Sequence, residues 1–158
     1  MKSLAFAGVV ALSLVGCGPA GGGGGGPMTV GTPVTGTIGF LSGESTIPGR
    51  AGTTTYRRDI WTVPLTTGSP VTVLLCRTGT VSFDPYLAVH GPGGPTDDLH
   101  NDDDSAGSLN SRLVLTPTAT GSYTIYASTF SSFSSSSTAG NYTLSVTAGE
   151  NPTASALV

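Results

Sequence analysis

The chain has 158 residues, and Gly 24 and Pro 11 together fill about 22% of them against a usual ~12%, which argues against an all-helical protein. Charged residues are only 9% and mean hydropathy is +0.17, so the composition is not that of a highly charged disordered chain. A formal net charge of −3 lacks the basic footprint that phosphate neutralisation needs, which argues against a nucleic-acid partner.

Met1 and Lys2 make a short basic start, and Leu4 to Val15 form an almost unbroken apolar run. A run of about twelve residues is too short to span a bilayer. A basic start, an apolar stretch and then small residues read as an export signal over residues 1–16. At its end, Leu14, Val15, Gly16 and Cys17 resemble the lipobox of bacterial lipoproteins. That resemblance implies cleavage before Cys17 and a diacylglyceryl thioether on its sulfur. Each buried methylene of a lipid chain contributes about 0.8 kcal/mol, so two or three chains would hold the protein stably on a membrane of the cell envelope. Gly18 stands where the aspartate associated with inner-membrane retention would be, which favours the outer membrane. Lipidation of Cys17 leaves Cys76 without an intramolecular partner. Its place after the apolar run Val71–Leu75 then reads as that of a small buried hydrophobe.

Gly21 to Gly26 and Pro27 offer no side chains to bury, so residues 17–30 read as a flexible tether. A phosphate-cradling loop would need a following Lys and a Ser or Thr, which this tract lacks. From about Val30 onward, short apolar–polar alternations are separated by Gly, Pro, Ser and Asp clusters, the signature of an all-β domain over residues 31–148 with a flexible tail at 149–158. Strands are expected at Val34–Phe40, Asp59–Leu65, Val71–Arg77, Tyr86–His90, Leu99–Asp102 and Arg112–Thr116. Two more open on Gly121 and Gly140, and their similar patterns suggest neighbouring antiparallel strands. About eight strands in this length fit a two-sheet antiparallel sandwich. Its expected core is Trp61, Val63, Val73, Leu75, Leu87, Val89, Leu113, Leu115, Ile125, Leu144 and Val146.

Asp59 to Val63, Phe83-Asp84-Pro85-Tyr86-Leu87, Asn101-Asp102-Asp103, Asn110-Ser111-Arg112-Leu113, Gly121 to Ile125 and Gly140 to Val146 occur in that order. Together they resemble the bacterial pre-peptidase C-terminal domain over about Thr32 to Thr147, without an accompanying peptidase domain. The resemblance implies a jelly-roll-like sandwich with an accessory role in secretion, folding or attachment, and no catalysis.

Asp97, Asp98, Asp102, Asp103 and Asp104 crowd five of the nine acids into eight residues. One reading is a hairpin whose acidic side chains cap turn amides, with Arg112 as a partner for one carboxylate. The other is a calcium site, since hard oxygen ligands suit that ion. Asp102, Asp104 and Gly107 match part of an EF-hand loop, but Leu113 stands where its closing glutamate should be. Asp84 before Pro85 reads as a strand start whose carboxylate bonds nearby amides. Phe130 to Ser137 reads as a loop packed over the sandwich edge or as a ligand-contact tip. His90 and His100 are the sole histidines, and no Gly-x-Ser-x-Gly nucleophile elbow surrounds a strand end.

The expected protein is a non-catalytic envelope lipoprotein with no catalytic or metal residue assigned and Cys17 as its lipidation site. Its sandwich would bind extracellular protein or polysaccharide. The alternatives are a structural or secretion-assisting envelope component and, as a minor reading, a hydrolase.

Overall fold

The computed structural model describes residues 24–79, 83–131 and 139–150. It contains ten strands in two sheets and no helix among the described residues. The strands are β1 (Gly26–Pro27), β2 (Val34–Ile38), β3 (Gly43–Ser45), β4 (Tyr56–Leu65), β5 (Val71–Thr78), β6 (Pro85–His90), β7 (His100–Asp102), β8 (Ser111–Leu115), β9 (Gly121–Thr129) and β10 (Gly140–Ala148). The first sheet runs β1-β4-β9-β6-β7, with β3 also on β4, and the second runs β2-β10-β5-β8. All pairs are antiparallel except β1 with β4.

Alternation explains the packing, because successive strand residues face opposite sides and one face of each strand is apolar. Trp61, Val63, Leu87, Val89, Tyr123 and Ile125 of the first sheet meet Val73, Leu75, Leu113, Leu115, Leu144 and Val146 of the second in one core. Every expected core residue lies in it. Central strands β5 and β6 are buried on both faces and read as nearly continuous apolar runs. The outer side of β6 is covered by Ile47, Tyr56 and Tyr126, and the outer side of β5 by Ala106.

Several expectations are corrected. Residues 24–30 are not free tether: Gly26 and Pro27 pair with Trp61 and Thr62, the Met28 amide donates to the Thr62 carbonyl at 2.8 Å, and Met28 enters the core. Backbone pairing needs no side chains, which is why a glycine tract can supply an edge strand. The rest of the expected signal and tether, residues 1–23, lies outside the described residues, as does 151–158 of the tail. The first expected strand stops at Ile38, because Gly39 opens a turn closed by the Ser42 amide on the Gly39 carbonyl at 3.1 Å. β9 and β10 are not hydrogen-bonded neighbours, each being an interior strand of a different sheet. Cys76 is buried as expected, but it is disulfide-bonded and not an unpaired thiol. The sequence leaves Cys17, outside the described residues, as the one other cysteine.

Candidate functional site

The acidic run that joins β6 to β8 divides into two chemically different halves. In the first half, carboxylates serve as backbone acceptors. Asp97 Oδ2 accepts the Gly93 amide at 2.9 Å. Asp98 accepts the Thr118 amide at 3.0 Å and the Tyr123 hydroxyl at 2.7 Å, and its Oδ1 lies 3.1 Å from His100 Nε2. Burial raises the Asp98 carboxyl, but the hydrogen bonds from Thr118, Tyr123 and His100 outweigh it and bring it down to about 2. Asp102 Oδ2 accepts the Ser105 amide at 3.2 Å and the Arg112 amide at 2.7 Å. Arg112 donates to Asp102 through its backbone amide. These contacts realise the capped-turn reading for Asp97, Asp98 and Asp102, and they remove Asp102 from the EF-hand-like set.

The second half is different. Asp103 and Asp104 converge with Asp84, which precedes β6, so that one oxygen from each lies within 4.8 Å of the others. Asp84 Oδ1 and Asp103 Oδ1 are buried without a hydrogen-bond partner. Burial, then the charges of Asp104 and Asp84, push the Asp103 carboxyl up to about 6, against the opposing pull of Arg50. Asp84 is raised by burial and by Asp104, with Arg77 and Arg50 opposing. The strand does start at Pro85, as expected, but Asp84 Oδ1 caps no amide. Three carboxylates with two orphaned oxygens are a donor set of the kind a calcium ion takes, although that ion needs six to eight oxygens in all.

Arg50, which the sequence reading did not single out, pins the loop over the first sheet. Its guanidinium lies 4.0 Å from the Tyr56 ring centroid, 4.5 Å from Tyr86 and 4.8 Å from Phe130. It donates to the carbonyls of Thr129 at 3.2 Å and Phe130 at 2.9 Å. Phe130 thus packs on the Arg50 guanidinium at the end of β9, while residues 132–138 of that loop lie outside the described residues. No spacing signal announces this cage, because its members come from four separate stretches of chain.

Both histidines are engaged locally. His90 is buried, its Nδ1 lies 2.8 Å from the Gly91 carbonyl, and its ring lies 5.8 Å from that of Tyr126. His100 contacts Asp98, as above. Asn141, the head of a glycosylation-like triplet, accepts from the Thr37 hydroxyl at 2.8 Å.

A cleft of about 570 Å³ opens beside β4, lined by Gly24, Phe40, Leu41, Arg58 and Asp59 among others. Asp59, only 5% exposed, forms its polar floor. Its Oδ2 accepts the Tyr142 hydroxyl at 2.6 Å, and the Trp61 indole donates to that hydroxyl at 2.9 Å. Burial raises Asp59 despite the hydrogen bonds from Tyr142 and Ser42 and the charge of Arg58. Gly36 makes room for this chain of bonds, since a Cβ there would fall 2.2 Å from the Tyr142 hydroxyl.

No family model matches the chain, and no curated protein matches it in sequence. Among solved structures it is similar to the pre-peptidase C-terminal domain of a collagenase from Bacillus anthracis, with TM-score 0.52 and 13% identity over 81% of this chain and 96% of that one. It is also similar to CorA, a surface-associated copper-binding protein of Methylomicrobium album BG8, with TM-score 0.51 and 13% identity over 80% and 99% of the two chains. At this identity the likeness is one of fold: the chain is a β-sandwich of the kind both proteins contain.

Proposed function

We propose that the chain is a non-catalytic cell-envelope lipoprotein whose sandwich is displayed at the cell surface as a binding module for extracellular protein or polysaccharide. The observation that carries the non-catalytic part is how the polar groups are used. The two histidines and most carboxylates of the acidic run are spent on backbone amides, carbonyls and each other. A general base needs a nucleophile within reach and a third group to orient it; Asp98 could orient His100, but neither imidazole has a hydroxyl or thiol partner among these contacts. The copper-binding and surface-associated character of one structural neighbour supports a binding role without identifying the ligand.

The anchor reading comes from Leu14 to Cys17. This reading departs from the disulfide at Cys76: a thioether and a disulfide cannot share one sulfur, so the lipidated chain would hold Cys76 as a buried thiol. Growth on labelled palmitate tests this: the wild-type chain takes up label and Cys17→Ser does not. Equal labelling of both, or an unlabelled wild-type chain whose intact mass shows a Cys17–Cys76 bond, rejects the anchor. The binding role is tested by screening the full chain against extracellular protein and polysaccharide arrays with and without calcium. A screen without binders in either condition rejects it.

A further inference from the structure

We propose that the turn from Gly39 to Ser42 is the face on which the protein rests on its own membrane, with Phe40 and Leu41 entering the boundary between headgroups and acyl chains of the bilayer that holds the Cys17 anchor. This rests on the lipid-anchor reading and adds an orientation to it. Phe40 is 85% exposed and Leu41 96%, adjacent in sequence at the tip of one turn. The other exposed large apolar groups among the described residues are single: Val114 stands alone on β8, and Phe130 packs on Arg50. A scattered exposed residue needs no explanation, whereas a contiguous pair at a tip marks a contact surface.

The turn is pinned. The Ser42 amide donates to the Gly39 carbonyl, the Gly39 amide to Ser42 Oγ at 3.1 Å, and Ser42 Oγ to the Thr37 carbonyl at 3.1 Å. The apolar pair is thus presented on an ordered support, so little ordering remains to be done on contact.

The occupant is identified by where the chain comes from. Gly24 lies against the Asp59 carboxylate and Gly25 against the Ile60 carbonyl, in the cleft that Phe40 and Leu41 also line. The segment arriving from Cys17 therefore enters beside this turn. Gly24 is seven steps of chain after Cys17, a reach of no more than about 25 Å when fully extended, so an anchored chain keeps this corner near the bilayer. The Arg57 guanidinium lies 5.8 Å from the Phe40 ring centroid and Arg58 lines the cleft, and long cationic side chains of this kind reach toward phosphates while their stems lie on apolar surface. Glu44, which pairs with Arg57 across β3 and β4, is the local counter-charge. The acidic run lies on and around β7, at the opposite edge of the first sheet from β1.

The test uses the full-length chain, processed in a bacterium that makes lipoproteins, with Phe40→Trp as probe. Ser69→Trp, in the exposed turn between β4 and β5 at the far end of the sandwich, is the control. Trp61 is 7% exposed and gives both the same background. Each is reconstituted into vesicles of phosphatidylethanolamine and phosphatidylglycerol with plain or brominated acyl chains. The expected result is quenching of the added indole by about twofold or more in Phe40→Trp, as for a side chain buried ~5–10 Å into the interface, and almost none in Ser69→Trp. Equal, weak quenching of both in protein that resists carbonate extraction overturns the proposal and leaves the anchor standing. Extraction of the wild-type chain by carbonate removes the anchor and the proposal together. A concentration-dependent blue shift of Phe40→Trp without vesicles assigns the turn to a second copy of the chain, which also overturns it.

Discussion

Asp98 and Asp103 belong to one acidic run and are held in opposite ways. Asp98 receives a backbone amide, a tyrosine hydroxyl and a histidine contact, and its carboxyl is brought down to about 2. Asp103 meets two further carboxylates, keeps a buried oxygen without a donor, and is pushed up to about 6. The density of acids in the sequence therefore does not set their electrostatics. Donors delivered from elsewhere do: Tyr123 is carried by β9 and Thr118 by the loop before it, and none reaches Asp103 Oδ1.

The strongest way to break this contrast is to remove its favourable half. Asp98→Ala withdraws three hydrogen bonds to a charged group and should lower stability by about 2–3 kcal/mol in urea denaturation at neutral pH. The sign with pH follows from a folded-state pKa below the ordinary value. The Asp98 contribution is complete above about pH 4 and disappears as pH falls toward 2, so the gap between wild type and Asp98→Ala should close in that window. A gap that is flat from neutral pH to pH 2 would show that the carboxylate charge is not what Asp98 contributes.

Asp59 is the intermediate case, with a donor like Asp98 and a raised carboxyl like Asp103. Tyr142→Phe should therefore cost about 2 kcal/mol, since it removes the shortest hydrogen bond to the carboxylate and leaves the Trp61 indole N–H unpaired inside the protein. The same variant should raise the Asp59 titration midpoint further, as read by NMR of the carboxyl carbon.

Asp103 supplies the opposite sign. Its folded-state pKa lies above the unfolded one, so the native state binds the extra proton between about 4 and 6 and stability falls as pH rises through that range. Asp103→Asn should thus stabilise the protein at pH 7 and make little difference below about pH 4. Water reaches this partly exposed group, so the gain should be about 0.5–1 kcal/mol. A loss of stability at pH 7 would mean that the charge is compensated by a bound cation.

What was legible beforehand follows the same division between local pattern and long-range pairing. Period-two alternation reveals which face of a strand is buried, and so Leu113, Ile125 and Val146 could be placed in the core from sequence. Alternation does not say which sheet a strand joins, which is why β9 and β10 look like neighbours and are not. The convergence of Asp84 with Asp103 was hidden for a related reason. It depends on β6 folding back on β7 with Leu87 opposite Asp102, a register that no short window contains. Phe40 was lost to the first strand because an apolar residue after a glycine fits alternation as well as it fits a turn. The edge strand β1 carries no side-chain signal at all.

The smallest expected effect tests whether the three donors to Asp98 are equivalent. His100 is 36% exposed and its contact with Asp98 is open to solvent on the histidine side, unlike the Tyr123 hydroxyl on a fully buried ring. A solvent-exposed ion pair or hydrogen bond contributes little, so His100→Gln should change stability by less than about 0.5 kcal/mol. It should move the Asp98 midpoint upward by only a few tenths, whereas Tyr123→Phe should move it further. If His100→Gln moves the midpoint as far as Tyr123→Phe does, the imidazole and not the buried hydroxyl is the principal support of the carboxylate. The contrast with Asp103 would then reduce to the presence of one neighbouring ring.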